Sequence, residues 1–128
     1  VLNAPGLAPE LFLILADALA RHIKPELAPF VQQVFSLHDT QQLQSSMARA
    51  GFTQVSALPD IKTLALPPAA AFLWQYLAST PLAAAAAEAG EAARANLKRD
   101  IAARWERYAQ EDGLTLELRV VTASARKT

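Results

Sequence analysis

Cysteine is absent from the 128 residues. That excludes a disulfide framework, thiolate catalysis and Cys-ligated zinc together, and it fits a cytoplasmic protein. Glycine is scarce. The four glycines, Gly6, Gly51, Gly90 and Gly113, never fall in a G-x-G spacing. A phosphate cradle needs glycines grouped so that backbone N–H groups approach a ligand at a helix N-terminus, so dinucleotide and P-loop fingerprints are missing. No charge of either sign dominates: twelve basic residues balance twelve acidic ones. No long-range field therefore draws nucleic acid or an anionic membrane. Long hydrophobic runs are missing too. The densest, LFLILADALA from Leu11 to Ala20, is broken by Asp17 and falls short of the roughly 20 apolar residues that a spanning helix needs. No basic segment precedes it, which argues against a signal peptide.

What is present is apolar enough for a core, at 52%, and long enough for a single domain over 1–128. Val1 to Leu7 read as a loop around Pro5-Gly6. A helix from about Pro9 to Ile23 is apolar almost all the way round, through Leu11, Phe12, Leu13, Ile14, Leu15, Ala18 and Leu19, and such a helix needs cover on most sides. Pro25 and Pro29 allow at most a short helical turn after it. Asp39 is placed to cap a helix with Gln42 three residues on. Leu43, Met47 and Ala50 share a face of that helix, and Gly51 stands where a left-handed stop belongs.

Strands are expected at Thr53–Leu58 and Ile61–Leu66, separated by Pro59-Asp60. Helices follow at Ala69–Ser79, at Leu82–Ala89 after the Thr80-Pro81 restart, and at Glu91–Ala109 with the stripe Ala93, Leu97, Ile101, Trp105 and Tyr108. Leu114–Ala125 is the clearest strand, with Leu114, Leu116, Leu118 and Val120 on one face. The class is α+β: helices with a small, mostly antiparallel sheet.

Residues that carry chemistry are few. The two histidines are His22 and His38. Asp39 beside His38 serves better as a helix cap than as an acid–base partner, and His22 suits a helix C-terminus. No metal-ligand spacing exists, and no serine has the G-x-S-x-G context of a nucleophile. Glu111-Asp112 before Gly113 read as a turn. No catalytic, cofactor-binding or metal-ligating residue is assigned. Trp74 and Tyr76 in FLWQYL have the amphipathic aromatic character that lines small-molecule pockets, with core packing as the rival reading.

Four stretches in order nevertheless resemble the C-terminal portion of class I S-adenosylmethionine-dependent methyltransferases, of the ubiquinone/menaquinone-biosynthesis kind. ELFLILADALARHIKPELAPF is similar to the segment that follows the fifth strand in that family. FSLHDTQQLQSSMARAGFTQV is similar to its helix, Ala-Gly-Phe ending and sixth strand. FLWQYLASTPLA resembles the helical insertion that covers the substrate. DGLTLELRVVTASARK resembles the last strand, which in that Rossmann-like fold inserts antiparallel between strands five and six. The glycine-rich loop and the acidic residue that hold the cofactor in the family have no counterpart here.

The resemblance therefore implies the substrate-side or lid portion of a small-molecule methyltransferase, inactive alone, with S-adenosylmethionine bound only in a full-length protein. The start at Val1 rather than Met accords with such a piece. Substrate contacts would fall to Phe35, His38, Trp74 and Tyr76. An unpaired edge on the long last strand and a partly uncovered first helix would favour a homo-oligomer, through the sheet edge or by exchange of that helix. The alternatives are a non-enzymatic α+β interaction or dimerisation module and a helical carrier of an apolar ligand.

Overall fold

A computed structural model describes residues 2–3, 9–37 and 39–127 and has six α-helices and a small antiparallel sheet, the α+β class expected. The sheet is built on β2 (Thr53–Leu66) and β4 (Gly113–Arg126), each 14 residues long. They pair antiparallel from Thr53↔Arg126 to Leu66↔Leu114. Two short strands, β1 (Leu2–Asn3) and β3 (Ala109–Gln110), pair antiparallel with β4. β4 is thus the central strand, in the order β1-β4-β2. Of the expected N-terminal loop, Leu2–Asn3 is strand, and 1 and 4–7 lie outside the described residues.

The helices are α1 (Glu10–His22), α2 (Leu27–Gln33), α3 (Thr40–Arg49), α4 (Ala69–Ala78), α5 (Leu82–Ala89) and α6 (Glu91–Arg104). The main core gathers Leu11, Ile14, Leu15 and Leu19 of α1 with Leu73 and Leu77 of α4, Leu97 and Ile101 of α6, Trp105, and Leu114 and Leu116 of β4. Its centre is Trp105, fully buried, whose indole Nε1–H donates to the Leu11 carbonyl at 3.0 Å. That bond satisfies the one polar atom of the largest core side chain, which would otherwise be costly to bury. Of the stripe expected on the last helix, Leu97, Ile101 and Trp105 are buried and Ala93 and Tyr108 half-buried, although α6 ends at Arg104 and a 3₁₀ turn covers Glu106–Tyr108.

Burial along β4 changes sides. Leu114, Leu116 and Leu118 are buried on one face, and then Val121 is buried on the other. The helical core covers the first face at one end of the ribbon, and α3 packs against β2 and β4. Each half of the strand therefore buries a different face, which a single alternating pattern does not anticipate.

Several boundaries depart from the sequence reading. β2 is one strand across Pro59-Asp60 instead of two. Among the described residues it pairs with β4 alone, and an edge strand tolerates a proline because the missing N–H need not face a neighbour. A register shift between Thr53 and Ser56 marks a bulge, with Gln54 at φ 51°. Pro29 sits in the first turn of α2, where its missing donor is harmless, so a seven-residue helix forms.

The expected stop after α3 is present: Gly51 has φ +97°, its N–H bonds the Ala48 carbonyl at 3.0 Å, and Phe52 N–H bonds Met47 at 3.2 Å. At Gly113 the chain passes so close to Leu66 that an added Cβ would lie 2.1 Å from the Leu66 carbonyl oxygen. Only glycine fits where β4 leaves the Glu111-Asp112 turn.

α1 is also better covered than expected. Six of its residues, Leu11, Ile14, Leu15, Ala16, Ala18 and Leu19, are buried within the one chain. The outer edge of β2 is open along its length, and the second side of β4 is paired, among the described residues, only at Gly113–Leu114 by β3 and at Arg119–Val120 by β1.

Candidate functional site

Four aromatic side chains from three segments meet beside the core. Phe12 of α1 is the hub, with ring centroids 5.2 Å from Phe35, 6.4 Å from Phe72 and 6.1 Å from Tyr76. Phe72 links the group to Tyr76 at 6.3 Å and to Trp105 at 5.5 Å. These spacings are the usual offset and edge contacts of aromatic pairs. Phe35, just past α2, is buried against Leu118, with Phe12, Leu13 and Val120 alongside.

The geometry of α4 decides which aromatics enter. Phe72 and Tyr76 are four residues apart and share a face, whereas Trp74, two residues from each, points away and is exposed. Of the residues singled out in the sequence, Phe35 and Tyr76 are thus brought together through Phe12, and Trp74 is not. His38 lies outside the described residues. Phe12 and Phe72 went unselected. The i,i+4 relation of Phe72 to Tyr76 was available as a signal, but nothing local ties Phe12 to them.

Tyr76 supplies the one polar tip of this wall. Burial pushes its hydroxyl pKa up, so it stays a neutral O–H through the physiological range. The wall is otherwise apolar and suits a flat hydrophobic surface better than acid–base chemistry.

Two polar clusters lie outside it. Between α1 and α6, His22 Nε2 meets Asp100 Oδ2 at 2.9 Å, and Arg104 reaches both Asp17 at 2.8 Å and Asp100 at 3.5 Å. Arg21 bonds Asp17 at 3.1 Å. The Arg104 hydrogen bond, opposed in part by burial and aided by Arg21, holds the Asp17 carboxyl below the usual aspartate range. At the start of α1, Glu10 receives Arg107 and the Tyr108 hydroxyl, the latter at 3.1 Å. Burial first, then the Glu10 contact, raises the Tyr108 pKa. Beside this pair runs an open depression of about 460 Å³ bordered by Pro9, Thr115 and Glu117.

Both clusters read as clamps between segments. Each joins α1 to the α6 end of the chain, and every cation in them faces a carboxylate. Among the described residues no group of three or more His, Cys, Asp or Glu is placed to hold a metal ion, and no helix is long and apolar enough to cross a membrane. No known protein family, curated protein or solved structure matches the chain.

Proposed function

We propose that this chain is the substrate-side portion of an S-adenosylmethionine-dependent methyltransferase acting on a small molecule. The observation that carries the reading is the position of β4, which lies between β1 and β2 and runs antiparallel to both. A last strand inserted antiparallel between its two predecessors is the arrangement implied by the resemblance of DGLTLELRVVTASARK. On this reading β1 would correspond to strand five and β2 to strand six. α4, α5 and α6 fall between β2 and β4 in the chain, where the family's substrate-covering insertion would lie.

The fit to the cofactor itself is poor. The glycines are dispersed, none follows a strand in a phosphate-binding spacing, and no acidic side chain ends a parallel strand among the described residues. No binding step is assigned to this chain. When bound elsewhere in the protein, the cofactor supplies an electrophilic methyl group. The role left to these residues is to orient an acceptor and keep water away, and positioning of that kind accounts for much of the rate in two-reactant chemistry. Phe12, Phe35, Phe72 and Tyr76 form the wall best suited to it. Cytoplasmic residence goes with this reading.

Intact mass of the native gene product tests it. A product heavier than the 13.8 kDa of this chain, binding S-adenosylmethionine in calorimetry while the chain alone does not, is the expected result. A native product of 13.8 kDa, or a heavier one indifferent to the cofactor, would overturn it. The chain would then stand as a non-enzymatic interaction or dimerisation module.

A further inference from the structure

The outer edge of β2 has a feature that the methyltransferase reading neither uses nor needs. Leu58 is 66% exposed, Ile61 63% and Leu64 37%, an unusual run of bare aliphatic side chains on a strand with one partner. Between them sit Asp60 and Lys62, paired at 3.0 Å on the same face as Leu58 and Leu64. Ile61 N–H donates to the Asp60 carboxylate at 2.8 Å. That N–H therefore points away from β4, and by alternation Pro59, Ile61 and Thr63 present their main chains to the open side.

The segment reads almost the same in both directions about Ile61. Leucine stands three residues to each side, and an acid one residue before mirrors a base one residue after. We infer that two copies of this chain associate edge to edge along β2, antiparallel about a two-fold axis at Ile61.

In that register Ile61 faces its own counterpart, Asp60 faces the partner's Lys62, and Leu58 faces the partner's Leu64. The outward main chains of Pro59 and Thr63 meet, with the Thr63 N–H donating to the Pro59 carbonyl. Directly opposed unlike charges and aliphatic pairs are the favourable cross-strand combinations. Moving the axis to residue 60 or 62 sets Asp60 against Asp60, or Lys62 against Lys62, and like charges directly opposite are unfavourable. The charge pattern thus selects one register.

Pro59 lacks an N–H, and the Asp60 carboxylate shields that of Ile61 in the single chain. Devices of this kind blunt indiscriminate strand addition. Asp60 must release its own strand's N–H when it takes the partner's Lys62, which leaves a complementary edge as the one able to pair.

Sedimentation velocity of the chain is expected to give a species of twice 13.8 kDa. Asp60→Lys should return it to single-chain mass, as should Lys62→Asp, and the double exchange D60K/K62D should restore the pair. These side chains are exposed, and far-UV circular dichroism checks that the variants stay folded. Because the chain has no cysteine, Ile61→Cys offers an independent test: residues facing each other across a hydrogen-bonded pair lie about 5.5 Å apart at Cα, within disulfide reach. It should cross-link to itself under mild oxidation, whereas Lys98→Cys on the exposed face of α6 should not. A single-chain mass at all concentrations would overturn the inference. So would a dimer indifferent to Asp60→Lys, or one whose Ile61→Cys variant cross-links no better than the α6 control.

Discussion

α1 carries six buried side chains and no side-chain cap, whereas α3 carries a cap at each end and no buried side chain. α1 starts at Pro9 without a hydrogen-bonding cap and is held by α2 beside it in the chain and by Trp105, α4 and α6. α3 starts on the Asp39 carboxylate, which accepts from Gln41 N–H at 2.9 Å and Gln42 N–H at 3.4 Å, and it ends on Gly51. One helix is fixed by burying its side chains against other elements, the other, which buries none fully, relies more on its own termini. Burial and capping can substitute for one another, and the two helices should therefore fail in different ways.

The largest effect is expected at Trp105. Trp105→Ala removes a fully buried side chain and its bond to Leu11, and large-to-small changes of this kind cost about 3–5 kcal/mol. Urea denaturation would read it, and a loss below about 1 kcal/mol would show that α1 is not held through this core. Gly51→Ala comes next. Nothing lies within 4 Å of the added Cβ, so the cost is the left-handed backbone alone, about 1–2 kcal/mol.

Asp39→Ala should cost about 1 kcal/mol through the lost cap. Its mark should be faster amide hydrogen exchange confined to α3, with the amides of α1 unchanged. Acceleration spread evenly over both helices would collapse the distinction between them.

The smallest effect is at Asp17 on α1. Its folded pKa lies below the ordinary 3.8, so the carboxylate contributes stability at pH values above 3.8, and that contribution is lost as pH falls through the lower folded value. Its side chain is 40% exposed, and screening limits the gain to about 0.2–1 kcal/mol. Asp17→Asn should flatten the acid limb of a stability–pH curve by that amount. An unchanged acid limb would mean that the Arg104 contact does not persist in solution.

The same contrast explains what the sequence disclosed. The Asp39 cap, the Gly51 stop, the α6 stripe and the alternation of Leu114 to Leu118 are written in neighbouring residues, and each is found in place. β1 and β3 went unread because two residues carry no periodicity; the partner of β1 lies far along the chain at Arg119–Val120, whereas β3 pairs across the adjacent turn with Gly113 and Leu114. Pro59 signalled a break between two strands. It is tolerated because β2 is an edge, and edge position is a property of the sheet rather than of the residues around the proline. Of the aromatic wall, Phe35 and Tyr76 were legible as candidates, but their meeting point is Phe12, on a helix whose apolar pattern spoke of burial on every side alike. Trp74 and Tyr76 looked equivalent as a pair of aromatics. Helical spacing put them on opposite faces.

The bond from Trp105 to Leu11 spans 94 residues, and the hydrogen bonds from Asp17 to Arg104 and His22 to Asp100 span 87 and 78. The helix with the most buried residues is consequently made, together with α2 beside it, long before Trp105 and α6 exist to complete its cover. At the usual 5–20 residues per second of synthesis, about 5–20 s separate Leu11 from Trp105. During that interval the face of α1 that Trp105 and α6 will cover must be sheltered by the ribosome, a chaperone or a transient collapse of the chain.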